Sequence, residues 1–248
     1  FEPGTTLFDE EGHARRYGSG LELYEDVTLG TEITFKKGLE NGTITLGKGA
    51  LNVERAVTID ATRNLGLTID AHGASRVFTV DTYRETNTSA YVTLNGFTLL
   101  NGAADEGGFI YVSEESNLRL SNMTITGSSS TSSGVGGAIY NAGTANLTGL
   151  TISDVKTDNE GTIYNSGTMT IAASTISDSS AKYGGAVYND GVLSVSKSSE
   201  FSGNVADEGA GLYNAGIATV VNSELNENAA TVSGGAAYNT GKLTITNS

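Results

Sequence analysis

The chain has 248 residues, with 33 glycines, a single proline and no cysteine, and its 28 acidic against 14 basic side chains give a formal charge of −14. Such a surface repels phosphate backbones and anionic lipid, which excludes nucleic acid as a partner. No apolar run approaches the roughly 18 residues of a membrane span, so this segment is not expected to insert directly into a bilayer. A hydrophobic fraction of 38% still suffices for a continuous core. The glycines lack a collagen period, and their abundance disfavours long helices.

In chain order, residues 1–40 include the charged run "DEEGHARRYGSG" and fit no repeat, so they are expected to form an amino-terminal cap. From 41 to 104 the segments "GTITLGKGALNV", "AVTID", "LGLTIDAHGASRVFTV" and "YVTLNGFTLLNG" keep a strand pattern and read as irregular first coils. Residues 105–248 carry a repeated octapeptide: "GGAIYNAG" at 136–143, "EGTIYNSG" at 160–167, "GGAVYNDG" at 184–191, "GAGLYNAG" at 209–216 and "GGAAYNTG" at 234–241. Its tyrosines serve as a ruler. Tyr111, Tyr140, Tyr164, Tyr188, Tyr213 and Tyr238 are separated by 29, 24, 24, 25 and 25 residues. A fixed period in the twenties indicates a solenoid, each unit burying its apolar face against its neighbours.

Position within the unit selects the solenoid. Just before the tyrosines stand Ile110, Ile139, Ile163, Val187, Leu212 and Ala237, and seven residues after them stand Leu118, Leu147, Ile171, Val195, Val220 and Ile245. The row preceding that second apolar set is polar throughout: Asn117, Asn146, Thr170, Ser194, Thr219 and Thr244. Period-two alternation marks strands with one buried face. The expected fold is therefore all-β, a right-handed parallel β-helix with coils of 24–25 residues and about eight coils in all. An uncapped last coil would expose strand edges, so the chain is expected to continue past Ser248 into further coils or an anchor domain.

The same alternation divides the octapeptide. Asn141, Asn165, Asn189, Asn214 and Asn239 fall on the inward face, where they are expected to stack as an amide ladder. The glycine two residues later (Gly143, Gly167, Gly191, Gly216, Gly241) marks a bend requiring positive φ or a close approach of chains. Tyrosine is sent outward, and the six rings are expected to form a ladder on one face. Such a ladder either stabilises the sheet by cross-strand stacking or offers an aromatic platform for sugar rings or a protein partner.

"GGAI", "GGAV" and "GGAA" at 136, 184 and 234, with "FSGN" at 201–204, resemble the GGA[ILV] and FxxN repeats of polymorphic outer-membrane proteins and autotransporter adhesin passengers. The likeness spans about residues 41–248. "LNEN" at 225–228 has Leu for Phe, which brings the chain nearer to the broader group of bacterial β-helix surface proteins. The resemblance implies a secreted or surface-displayed bacterial passenger, often adhesive, associated with the outer membrane through a separate anchor or translocator.

The same fold also serves polysaccharide lyases and hydrolases, so chemistry has to be weighed. The fragments NTD, DD and RIK expected of a polygalacturonase are absent, His72-Gly73 reads as a bend, and His13 lies in the cap. Six residues before the tyrosines come Asp105, Gly134, Asp158, Lys182, Asp207 and Val232, placing carboxylates on alternate coils about 9.6 Å apart. That alternation grazes the inverting-glycosidase range, yet it also avoids stacking like charges. Asp105, Asp158 and Asp207 are the weak calcium candidates, without EF-hand or nonapeptide spacing, and no cofactor is otherwise expected. The leading reading is a non-catalytic surface stalk or adhesin binding a glycan or a host or neighbouring surface protein. A polysaccharide-active enzyme is the alternative, and a pure structural spacer the second.

Overall fold

The computed structural model describes residues 6–8, 14–16, 32–82, 91–127 and 134–248. Among the described residues there is no helix; the chain is a parallel β-helix of about eight coils. One coil shows the plan. Strand Ile163–Asn165 is followed by a two-residue bend, strand Thr168–Ala172, a second two-residue bend and strand Thr175–Ser177. Strands at equivalent places pair in parallel with the next coil, building three sheets along the axis. An eight-stranded sheet, from Leu51–Val53 to Ala237–Asn239, carries the tyrosines. A second eight-stranded sheet runs from Thr43–Thr45 to Glu224–Asn226. The third has eleven strands and ends at Lys242–Thr246.

That longest sheet departs from the expected cap boundary. Glu32–Thr34 already pairs in parallel with Thr58–Asp60, so the stack is under way ahead of residue 41. Beyond it Thr6–Phe8 joins antiparallel, followed by Ala14–Arg16, which changes the pairing mode at that end of the sheet. His13 lies outside the described residues.

Burial follows the alternation. Ile110, Ile139, Ile163, Val187 and Leu212 are fully buried, and Phe78, Phe97, Phe109 and Phe201 are the largest side chains in the core. The tyrosine ruler slips once. Leu118 pairs with Ala145, and it is Leu120 that pairs with Leu147. The cause is the connection after Val112, where residues 113–116 span four positions against two, 142–143, in the next coil. Two extra residues preserve the face, so both leucines stay buried.

Glycine serves two separate geometries. The one two residues after each ladder asparagine answers a close approach: a Cβ on Gly167 would sit on the Gly143 carbonyl oxygen, and one on Gly191 on the Gly167 carbonyl oxygen. Positive φ belongs instead to the glycine that opens the motif, as at Gly184 (φ 66°).

The asparagine ladder is present as expected. Asn141, Asn165, Asn189 and Asn214 are fully buried, and each donates from Nδ2 to Oδ1 of the next asparagine at 2.7 Å, ending on Asn239. The same amide also donates to bend carbonyls, for Asn189 those of Gly191 at 3.2 Å and Ile217 at 3.3 Å. The column starts at Asn141 because its register partner one coil earlier is Val112. Valine has no amide to give, and Asn141 Oδ1 is left buried without a partner. An interrupted rung elsewhere should behave alike. Asn189→Ala is expected to lower stability by about 1–3 kcal/mol, since it strips Asn214 Oδ1 and two bend carbonyls of their donor. Urea melts check this, and a neutral substitution would show that the amides are not energetically coupled to the bends.

Candidate functional site: a tyrosine face

The middle residue of each short strand in the tyrosine sheet points away from the core, because its neighbours on both sides are buried. Register then does the rest: Tyr111 pairs with Tyr140, Tyr140 with Tyr164, Tyr164 with Tyr188, Tyr188 with Tyr213 and Tyr213 with Tyr238. Ring centroids lie 5.2, 5.0, 5.4 and 4.7 Å apart over the first four steps, with planes within 16° of parallel. The last step, Tyr213 to Tyr238, is 5.0 Å with a 31° tilt. Stacking covers the ring faces and leaves the tyrosines half-buried. What the molecule presents outward is a row of ring edges and phenol hydroxyls.

Beside this row runs a line of carboxylates alternating with uncharged residues, which the sequence count misplaces. Glu106 bridges Val135, the Gly136 amide donates to the Glu160 carbonyl, and Glu160 bridges Tyr183, which bridges Glu208. Carboxylates therefore do recur on alternate coils, about 9.6 Å apart, but they are Glu106, Glu160 and Glu208. Glu160 stands four residues before its tyrosine where the others stand five, so a fixed offset misses it. The expected aspartate row does not hold as drawn. The Asp207 amide donates to the Lys182 carbonyl, which aligns those two, but the Lys182 amide donates to Asn159 and leaves Asp158 one place off. Among the described residues no three His, Cys, Asp or Glu side chains gather to hold a metal. Asp207 Oδ1 instead accepts from the Thr231 hydroxyl at 2.7 Å. His72 is an exposed bend residue with φ 55°, its amide donating to Asp70 Oδ1 at 2.7 Å.

Cations sit at particular points of this face. The Arg76 guanidinium stands 5.0 Å from the Tyr111 ring centroid, and Lys182 Nζ 5.1 Å from that of Tyr183. Along the middle rungs Glu160 and Asp190 stand near enough to act on the phenols. Burial, then Asp190, raises the Glu160 carboxyl above its ordinary value. Burial first, and Glu160 next, push the Tyr164 and Tyr188 phenols up to about 12. Both are neutral hydrogen-bond donors at physiological pH.

A second buried amide column accounts for "FSGN". Phe201 and Asn204 are fully buried, and Asn204 Nδ2 donates to the Ile176 carbonyl at 2.9 Å and to Asn228 Oδ1 at 3.0 Å. Asn228, from "LNEN", repeats the role by donating to the Phe201 carbonyl at 2.7 Å. The motif is structural here: phenylalanine fills the core and asparagine satisfies the bend. Comparison with family models, curated proteins and solved structures gives no match to this chain.

Two outcomes follow for the ladder. Tyr164→Phe keeps the stack and should be near neutral, while Tyr164→Ala, which loses two ring contacts, should cost about 1–3 kcal/mol in urea melts. Unfolded phenols ionise near pH 10, whereas Tyr164 and Tyr188 hold their protons to about 12 in the fold. The unfolded chain thus releases protons that the folded one keeps. This contribution is fully present below pH 10 and is lost as the pH rises from 10 to about 12. Stability measured across that window should fall less steeply for Tyr164→Phe/Tyr188→Phe than for the parent chain.

Proposed function

We propose that this chain is a non-catalytic β-helical stalk or adhesive passenger, secreted or displayed at a bacterial cell surface, whose tyrosine face binds a glycan or a protein partner. The observation that carries the reading is the uninterrupted column of six outward tyrosines on one sheet. Aromatic side chains are favoured anchors because they combine apolar area with a polar tip and few rotatable bonds. Scaffolding alone accounts for the inward columns, since bends and core require them. It does not by itself require phenol at six successive outward positions, where threonine or asparagine serves on the neighbouring sheet (Asn146, Thr170, Thr219).

The form of the ladder narrows the mode of contact. With ring faces covered by neighbours, a sugar has little room to lie flat on any single ring. Hydroxyls repeating at the coil spacing suit an elongated ligand, a glycan chain or an extended peptide, bonded at several rungs.

The test is adhesion to cells or glycan arrays, counted per folded molecule. Tyr164→Ala/Tyr188→Ala should lose at least tenfold, and the doubly phenylalanine-substituted chain, with its stack intact, should lose part of that. Undiminished adhesion by the alanine variant would remove the tyrosine face from the function.

A further inference from the structure

The composition leaves the tyrosines chemically exposed in a second sense. The chain has no cysteine and no tryptophan, and its two methionines, Met123 and Met169, are 2% and 1% exposed. Phenol is therefore the most readily oxidised side chain at the surface, and six of the eleven tyrosines are stacked in one column. An electron hole on any rung has a near-parallel neighbour at 4.7–5.4 Å along the first four steps. Carboxylates stand close enough to perturb these phenols, Glu160 and Asp190 at Tyr164 and Tyr188, and Glu208 at Tyr213.

We propose that the ladder is a site of oxidative cross-linking, in which Tyr188 and Tyr213 couple first to a dityrosine staple between successive coils. The pair is chosen by geometry. It has the shortest centroid separation in the column, 4.7 Å, and the smallest interplanar angle, 7°. The co-reactant is a one-electron oxidant, such as a haem peroxidase charged with hydrogen peroxide. Each phenol gives one electron to the oxidant and its hydroxyl proton to a neighbouring carboxylate or water. The two phenoxyl radicals then join through a carbon ortho to each oxygen, forming one C–C bond. Each ortho hydrogen moves to its oxygen and both rings regain aromaticity. The sum is the loss of two electrons and two protons, which one hydrogen peroxide takes up as two waters. The product covalently ties residues 25 apart in sequence and one coil apart in space.

The structure supplies its own control. Tyr213 has a third aromatic neighbour besides Tyr188 and Tyr238, namely Tyr183, but at 5.7 Å and 64°, edge to face and outside the column. Stacking, not mere proximity, is what the proposal makes decisive.

The experiment treats the purified chain with a haem peroxidase and limiting hydrogen peroxide, then maps linked peptides by mass spectrometry after digestion. The expected product is an intramolecular link, two hydrogens lighter than the two peptides together, joining Tyr188 to Tyr213 in a yield independent of protein concentration. Tyr183→Phe should leave that yield unchanged, while Tyr188→Phe should abolish the link and shift coupling to Tyr140–Tyr164. The stapled chain should also melt at higher temperature than the untreated one. Links formed only between molecules, links to Tyr183 as abundant as those to Tyr188, or oxidised tyrosines without coupling would each overturn the proposal.

Discussion

In-register parallel pairing is the interaction on which everything else in this molecule rests. Each coil satisfies its backbone through the next, so every residue lies about 4.8 Å from its counterpart one repeat away. Through the regular coils like meets like at most strand positions. An apolar position becomes a core column, an asparagine becomes an amide ladder, and a tyrosine becomes a stack. The repeat is constrained less by any single coil than by what can tolerate its own copy as a neighbour.

That constraint explains which polar residues occupy the interior. A buried asparagine carries both donor and acceptor, so a column of them is self-complementary, each Nδ2 meeting the next Oδ1 at 2.7 Å. A buried carboxylate or ammonium column would stack like charges and is absent from the described core. Serine does similar work at another bend, where Ser174 Oγ accepts from the Leu150 amide and Ser199 Oγ from the Ser174 amide. Outside, where water screens the charges, the rule relaxes: Glu106, Glu160 and Glu208 alternate with Val135 and Tyr183, but Glu200 pairs directly with Glu224.

In the tyrosine column stacking and surface chemistry coincide. The rings hold one another in place, so their hydroxyls are ordered before any ligand arrives, which reduces the entropy cost of an extended contact. The same closeness makes the phenols hard to ionise and gives oxidised rings a partner. The proposed binding and the proposed cross-linking thus draw on one arrangement, and they make opposite demands: a coupled ladder would be stiffer but would have lost the freedom of its individual phenols.

The sequence by itself determined the class of fold, the inward asparagines and the outward tyrosines, because alternation and a period of 24–25 residues are written directly in residue order. It also exposed the octapeptide whose glycines had to be structural, though not which glycine needed positive φ and which a close approach. Tertiary structure alone decided register. The slip from Leu118 to Leu120 and the replacement of the aspartate row by Glu106, Glu160 and Glu208 follow from connections that differ by one or two residues between coils. Counting along a chain assumes that coils have equal length; hydrogen bonding between strands ignores sequence distance and aligns whatever lies alongside. Residues inside strands were therefore legible from the sequence, and those in the bends, where the lengths vary, were not.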